Sequence, residues 1–192
     1  MKRIIVGISG ASGTITAIRL LQALRPMKDV EVHLVVSDAA RIVMKAELDL
    51  DYEDAARLAD VRYDFSNLAA PIASGSFAHN GMIIAPCSMK TLGAIAYTNI
   101  DNLMTRAGDV CLKEGFPLLL AFRETPLHTG HIRTMLRAAE NGAIIFPLTP
   151  PFYTKSETIE EMVDGMVGRM LQRIGIENAL VKVWQGFPTD KK

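Results

Sequence analysis

The feature that most constrains this chain is a recurrence. Short apolar runs of four to seven residues alternate with longer stretches of helical period. Ile4 to Ile8 reads as a buried strand, followed by a helix through Ile18, Leu20, Leu21 and Leu24 that ends near Pro26. Val30 to Val36 is a second strand, and Ala39 to Leu48 a second helix with Ile42, Val43 and Ala46 on one face. Residues 49–80 are the least regular and read as a short helix, at most one strand, and a polar loop. Met82–Ala85, Pro117–Phe122 and Ala143–Phe146 are further strands. Helices fall at about Lys90–Tyr97, Leu103–Lys113 and Ile132–Asn141, with a last one over Thr158–Ile174. Strands apolar on both faces suit the middle of a parallel sheet covered by helices on each side. The alternation then implies right-handed crossovers and a three-layer, doubly wound α/β fold with a mostly parallel sheet. The length of 192 residues fits one domain, with a polar, partly mobile tail from about Gly175 that carries Trp184.

Composition narrows the function classes. Lysine plus arginine and aspartate plus glutamate both sum to 21, so the chain lacks the net positive charge that nucleic acid attracts. The longest apolar run, around 116–122, is far short of the roughly 20 residues that span a bilayer. The start moves straight into a strand without a signal-peptide cleavage site. The two cysteines, Cys87 and Cys111, are too far apart for a CxxC motif. These features lead us to expect a cytoplasmic protein without membrane or nucleic-acid partners.

In doubly wound sheets, ligands bind beyond the carboxyl ends of the strands, so the residues following each strand matter most. After the first strand comes Gly7-Ile8-Ser9-Gly10-Ala11-Ser12-Gly13-Thr14, opening into a helix. Glycines allow close backbone approach, and the helix-start amides attract phosphate. The bland alternative is a tight turn that binds nothing. The spacing is G-x-x-G-x-x-G rather than the dinucleotide G-x-G-x-x-G, and no P-loop lysine follows, which excludes an NTPase. Asp38 after the second strand fits a solvated helix start better than a ribose-binding acid.

Pro86-Cys87-Ser88-Met89-Lys90-Thr91 follows the third clear strand. Ser88 either caps a helix or offers its hydroxyl and neighbouring amides to a ligand. Cys87 has no histidine placed to activate it as a nucleophile. Arg123-Glu124-Thr125-Pro126 ends the next strand, either as part of a site or as an ion pair capping a helix. His128 and His131 lack the further ligand that a metal site needs, so no metal is expected. Pro147-Leu148-Thr149-Pro150-Pro151-Phe152-Tyr153 is a stiff loop presenting two aromatics, for a ligand or simply as a connection. In the last helix Met162, Val163, Met166, Val167, Met170 and Leu171 form an apolar stripe suited to core or subunit contact, and Arg169 flanks it.

Taken together, these loops resemble the UbiX-type flavin prenyltransferases, within the family of homo-oligomeric FMN-containing cysteine decarboxylases and relatives. The matching segments are Val6–Gly13, Pro86-Cys87-Ser88 with Lys90-Thr91-Leu92, Asn102-Leu103 through Arg106-Ala107 to Lys113-Glu114, Arg123–Leu127, and Pro151-Phe152-Tyr153. The resemblance runs from Met1 to about Gly186 and implies a Rossmann- or flavodoxin-like fold. It implies an enzyme that joins a dimethylallyl group to N5 and C6 of reduced FMN and delivers prenylated FMN to a UbiD-type decarboxylase.

By resemblance the FMN phosphate and ribityl chain lie on Gly10, Ala11 and Ser12, with Ser37, Ser88, Met89, Lys90, Thr91 and Arg123 completing the flavin site. Dimethylallyl monophosphate is gripped by Arg106, Lys113, Tyr153 and Arg169, partly across subunit contacts of a homo-oligomer (a dodecamer by resemblance). Glu124, Glu47 and Ser12 match catalytic positions. Fixed cations suit a departing phosphate without metal. An aromatic face stabilises a developing allyl cation, and Trp184 matches a position serving that purpose in some relatives; it reads equally well as an anchor for the tail. Glu124, or a phosphate oxygen oriented by it, suits the base that removes the ring proton.

Three positions depart from the pattern. Thr16 stands at a frequent tyrosine, Leu68 at a tryptophan of some members, and Gly115-Phe116 at a commonly basic Arg-Arg pair. Two other readings use FMN: decarboxylation of a cysteinyl substrate, and a flavin carrier without catalysis. The first usually carries an early histidine base and a Pro-x-Met-Asn-x-x-Met segment; the chain lacks that segment, and His33 lies within a strand.

Overall fold

The computed structural model describes residues 1–184 and 186. Six strands form one sheet: β1 (Lys2–Ile8), β2 (Val30–Val36), β3 (Val61–Tyr63), β4 (Gly81–Cys87), β5 (Leu118–Phe122) and β6 (Ile144–Pro147). The order is β3-β2-β1-β4-β5-β6, and every pairing is parallel. This is the doubly wound Rossmann order, with its switch point between β1 and β4. The expectation of a mostly parallel sheet is met by one that is parallel throughout.

Helices α1 (Ile15–Leu24), α2 (Asp38–Leu48) and α7 (Ile159–Arg173) share a core with one face of the sheet, where Ile4, Val6, Ile8, Leu34 and Ile83 are buried. Helices α4 (Met89–Ala96), α5 (Leu103–Glu114) and α6 (Thr129–Glu140) cover the other, with Ile5, Val35, Met82, Ile84 and Leu120. Alternate residues of each strand thus enter different cores, the period-2 consequence of a sheet buried on both sides. The irregular stretch holds a short helix α3 (Tyr52–Ala56), strand β3 and a 3₁₀ turn at Pro71–Ala73.

Two sequence expectations need correction. The buried face of α2 is Ala40 and Met44, whereas Ile42 is 72% exposed and Ala46 is also exposed. Two faces of this helix carry apolar residues, and packing against the sheet selects the one half a turn away from Ile42. Helix α6 begins three residues before Ile132, at Thr129, because the His128 ring Nδ1 accepts from the Gly130 amide at 3.0 Å and caps the start.

Of the departures from the family pattern, Thr16 is buried and Leu68 exposed. Gly115 sits at φ +74°, a left-handed helix end that suits glycine. Phe116 packs on His79 within its own chain, with ring centroids 4.3 Å apart.

Candidate active site

Three helices begin around one cleft at the carboxyl edge of the sheet. Ser37 caps α2 by accepting from the Ala40 amide, Ser88 caps α4 by accepting from the Thr91 amide, and Asn102 caps α5 by accepting from the Thr105 amide. Each cap satisfies an amide one turn into its helix and leaves the earliest amides of that turn without an intrahelical partner. The cleft, about 340 Å³, lies at the switch point and is lined by Gly10, Ser37, Ser88, Lys90, Thr91 and Asn102, together with Asp38, Ala39, Phe65, Ala94, Asp101 and Thr105. First-turn amides, two serine hydroxyls, a threonine and a lysine are a donor set that fits a phosphate.

The β1 loop forms one wall of this cleft. A Cβ on Gly10 would stand 2.4 Å from the Ala39 Cβ, so only glycine lets the loop lie against the start of α2. Ser9 ties it to the loop after β4: its hydroxyl donates to Pro86 O at 2.8 Å and accepts from the Ser88 amide at 2.7 Å. At the α1 end, the amides of Gly13 and Thr14 and the Thr14 hydroxyl donate to the Glu47 carboxylate at 2.7–3.0 Å. The helix-start amides that the glycine motif offers to a phosphate are therefore engaged by this chain's own carboxylate. Burial pushes the Glu47 carboxyl up, but hydrogen bonds from Ser12, Thr14 and Gly13 outweigh it and hold the group below the ordinary carboxylate range.

A second cleft, about 280 Å³, lies between β6, the loop that follows it and α7, lined by Tyr153, Arg169, Met166, Phe146, Thr149 and Pro151 among others. Leu148, in the same proline-rich loop, comes within 3.7 Å of where a Gly13 Cβ would stand, so the loop from β1 touches the segment that carries the second cleft. Arg123, at the end of β5, reaches back to that loop, its Nε donating to Ser12 O at 3.4 Å. Glu124 accepts from the Thr125 amide at 3.0 Å.

A Flavoprotein family model matches residues 1–171. The flavin prenyltransferase UbiX of Escherichia coli strain K12 is 50% identical over 188 residues, covering 97% of this chain and 100% of that protein. The chain belongs to the UbiX-type flavin prenyltransferases. Among solved structures, that of AnUbiX (PadA1) in complex with FMN and dimethylallyl pyrophosphate superposes with a TM-score of 0.95 at 43% identity, covering 97% of this chain and 99% of that one. The dodecameric FMN-dependent UbiX-like decarboxylase from Escherichia coli O157:H7 gives a TM-score of 0.93 at 43% identity, covering 96% and 100%.

Membership in the UbiX-type flavin prenyltransferases makes this protein an FMN-using transferase, and the structure shows how its residues are grouped. Gly10, Ser37, Ser88, Lys90 and Thr91 meet at the first cleft. Ser12, Glu47 and Arg123 meet on the β1 loop, and Tyr153 and Arg169 share the second cleft. Ala11, in the same loop, is buried, and Met89 opens α4. Arg106 and Lys113 stand apart on α5, over the opposite face of the sheet from α7: Arg106 donates to Ala73 O at 3.0 Å and pairs with Asp109, and Lys113 pairs with Glu114.

The Trp184 ring meets Tyr153 edge-on, centroids 5.2 Å apart. Neither histidine after β5 is poised as part of the site: His128 caps α6 and stacks on His131. Cys87 is wholly buried, and burial pushes its thiol far above the ordinary range, the opposite of an activated nucleophile.

The sequence reading missed Phe65, Asp101, Asn102 and Thr105 as lining residues. Asn102 had a legible signal, an Asn directly before an apolar helix. Phe65 had none, because its place depends on how the chain after β3 crosses the end of the sheet.

Proposed function

We propose that this UbiX-type enzyme joins the dimethylallyl group of dimethylallyl monophosphate to N5 and C6 of reduced FMN, as a single domain, and passes prenylated FMN to a UbiD-type decarboxylase. The observation that carries this reading is a pair of clefts linked through the β1 loop, which lines the first with Gly10 and reaches Leu148 beside the second with Gly13, one built of helix starts and the other of Tyr153 and Arg169. When bound, reduced FMN supplies the nucleophilic N5 and C6.

The chain's own residues do the rest. Ser88, Thr91, Lys90, Ser37 and the first-turn amides hold the phosphate end of the flavin, and Arg123 fixes the β1 loop beside it. Arg169 and Tyr153 orient the allyl phosphate, and positive charge placed in advance favours loss of phosphate. Trp184, against Tyr153, turns an aromatic surface to the developing allyl cation. Glu124 takes the proton released from C6.

Arg106 and Lys113 reach the same phosphate only if a neighbouring subunit brings its α5 to this cleft, since within one chain the sheet lies between α5 and α7. That need supports a homo-oligomer with shared sites, of the dodecameric kind of the Escherichia coli O157:H7 relative. No helix among the described residues is long and apolar enough to cross a membrane, and both cysteines are free, which supports a cytoplasmic setting.

Anaerobic incubation with FMN, reductant and dimethylallyl monophosphate, followed by mass spectrometry of the flavin, tests the reading. The expected product carries one added five-carbon unit, and Glu124→Gln slows its formation by about 10²–10⁴-fold. A flavin of unchanged mass with the unaltered protein refutes the proposal.

A further inference from the structure

Helix α7 contains two glycines, Gly165 and Gly168, at positions where alanine would favour the helix by about 1 kcal/mol each. Among the described residues, only the second has a steric reason. A Cβ on Gly168 would stand 2.8 Å from Asn178 Oδ1, 2.8 Å from Val181 Cγ2 and 2.9 Å from Leu180 Cβ, whereas one on Gly165 would meet none of the described residues within 4 Å. The chain leaving α7 therefore doubles back across the helix at Gly168, so closely that a side chain there would not fit.

Asn178 fastens this crossing. Its Nδ2 donates to Gly168 O at 3.0 Å and to Ile176 O at 3.3 Å, while its Oδ1 accepts from the Leu180 amide at 3.1 Å. Leu180 packs against the α7 core. Six residues beyond Asn178, the chain delivers Trp184 to Tyr153. Tyr153 lines the second cleft with Arg169, the residue next to Gly168. The crossing point and the cleft are thus built on consecutive residues of one helix.

We propose that Gly168 and Asn178 are positioning residues that latch residues 176–184 across α7 and so set Trp184 against Tyr153 beside the Arg169 cleft. The latch rests on contacts within the chain; its consequence for turnover rests on the reading of that cleft given above. Removing the Asn178 side chain frees the Gly168 carbonyl and the Leu180 amide together. Adding a methyl group at Gly168 strengthens the helix but drives the returning chain away, so one substitution has opposite signs for helix and latch.

Trp184 is the only tryptophan in the chain, so its fluorescence reports the latch without regard to catalysis. The test uses full-length Asn178→Ala and Gly168→Ala, with Gly165→Ala as a control that gains the same helix propensity without touching the returning chain. In the first two, Trp184 emission is expected to move to longer wavelength and become more open to acrylamide quenching. The ratio of latched to free chain should fall roughly five-fold, the size of one neutral hydrogen bond. Turnover of reduced FMN with dimethylallyl monophosphate is expected to fall in proportion to the latched fraction that the quenching reads, with the KM for FMN unchanged and Gly165→Ala like the unaltered protein throughout.

Emission and quenching in Asn178→Ala and Gly168→Ala that match those of the unaltered protein would overturn the latch. Altered fluorescence with undiminished turnover would leave the latch standing and overturn its part in catalysis. If the unaltered protein does not prenylate FMN, the reading of the cleft fails while the fluorescence still decides the latch.

Discussion

The two clefts are built by different means. The first uses the beginnings of α2, α4 and α5, each capped by a short polar side chain, so the fold that stacks those helices on the sheet also forms the cleft. The second uses side chains on a proline-rich loop and on α7, leaves Phe152 and Tyr153 exposed, and has Trp184 from beyond the last helix set against its Tyr153. Main-chain donors fixed by helix geometry need no partner to aim them. Long side chains such as Arg169 and Tyr153 do, and here the returning chain, and in our reading a neighbouring subunit, supply the constraint.

If that contrast is right, damage to the two clefts should separate binding from turnover. Of changes to the two clefts, Arg169→Ala is expected to act most strongly: loss of one preorganised charge should lower the rate constant for prenylation by about 10²–10³-fold. Titration with FMN should show affinity unchanged, and a matching loss of FMN affinity would mean the clefts are not independent. Ser88→Ala should do the reverse. It removes both a helix cap and a donor to a charged ligand, and FMN affinity should fall by about ten-fold or more. Turnover at saturating FMN should stay near that of the unaltered protein, and a collapse there would merge the two clefts into one functional unit.

The smallest effect concerns the β1 loop. The Glu47 carboxyl is held below its ordinary range in the folded protein, so its contribution to stability is complete above the unfolded carboxylate range. That contribution is lost as the pH falls from about 5 through the folded value. Glu47→Gln should therefore lower the thermal midpoint at neutral pH, and the gap from the unaltered protein should close on acidification. A gap that stays constant across that range would show that the negative charge of Glu47 does not hold the loop.

The layered architecture was legible because its signal is local and repeated. Ile4–Ile8 and Pro117–Phe122 are apolar on both faces, Val30–Val36 nearly so, and with helical stretches between them such strands suit a parallel sheet between helix layers. Much of the first cleft was legible for the same reason, since residues directly after a strand fall at the sheet's carboxyl edge wherever that strand sits. The apolar face of α2 was misread because Ile42 with Ala46, and Ala40 with Met44, are equally valid helical stripes, and the choice belongs to the sheet beneath. The role of the β1 glycines was only half legible, since Glu47 lies 33 residues beyond Thr14 and nothing local announces that its carboxylate returns to those amides.

By itself, the sequence determined the order of strands and helices, the loops that face the ligand edge, and the family to which those loops correspond. Each follows from periodicity or from residues adjacent in the chain. Tertiary structure alone decided that Glu47 would close the α1 start, that α5 and α7 would set their cations on opposite sides of one sheet, and that Gly168 would admit the returning chain bearing Trp184. Those outcomes depend on surfaces brought together from distant parts of the chain, where steric fit and hydrogen-bond geometry exist only after the layers have packed.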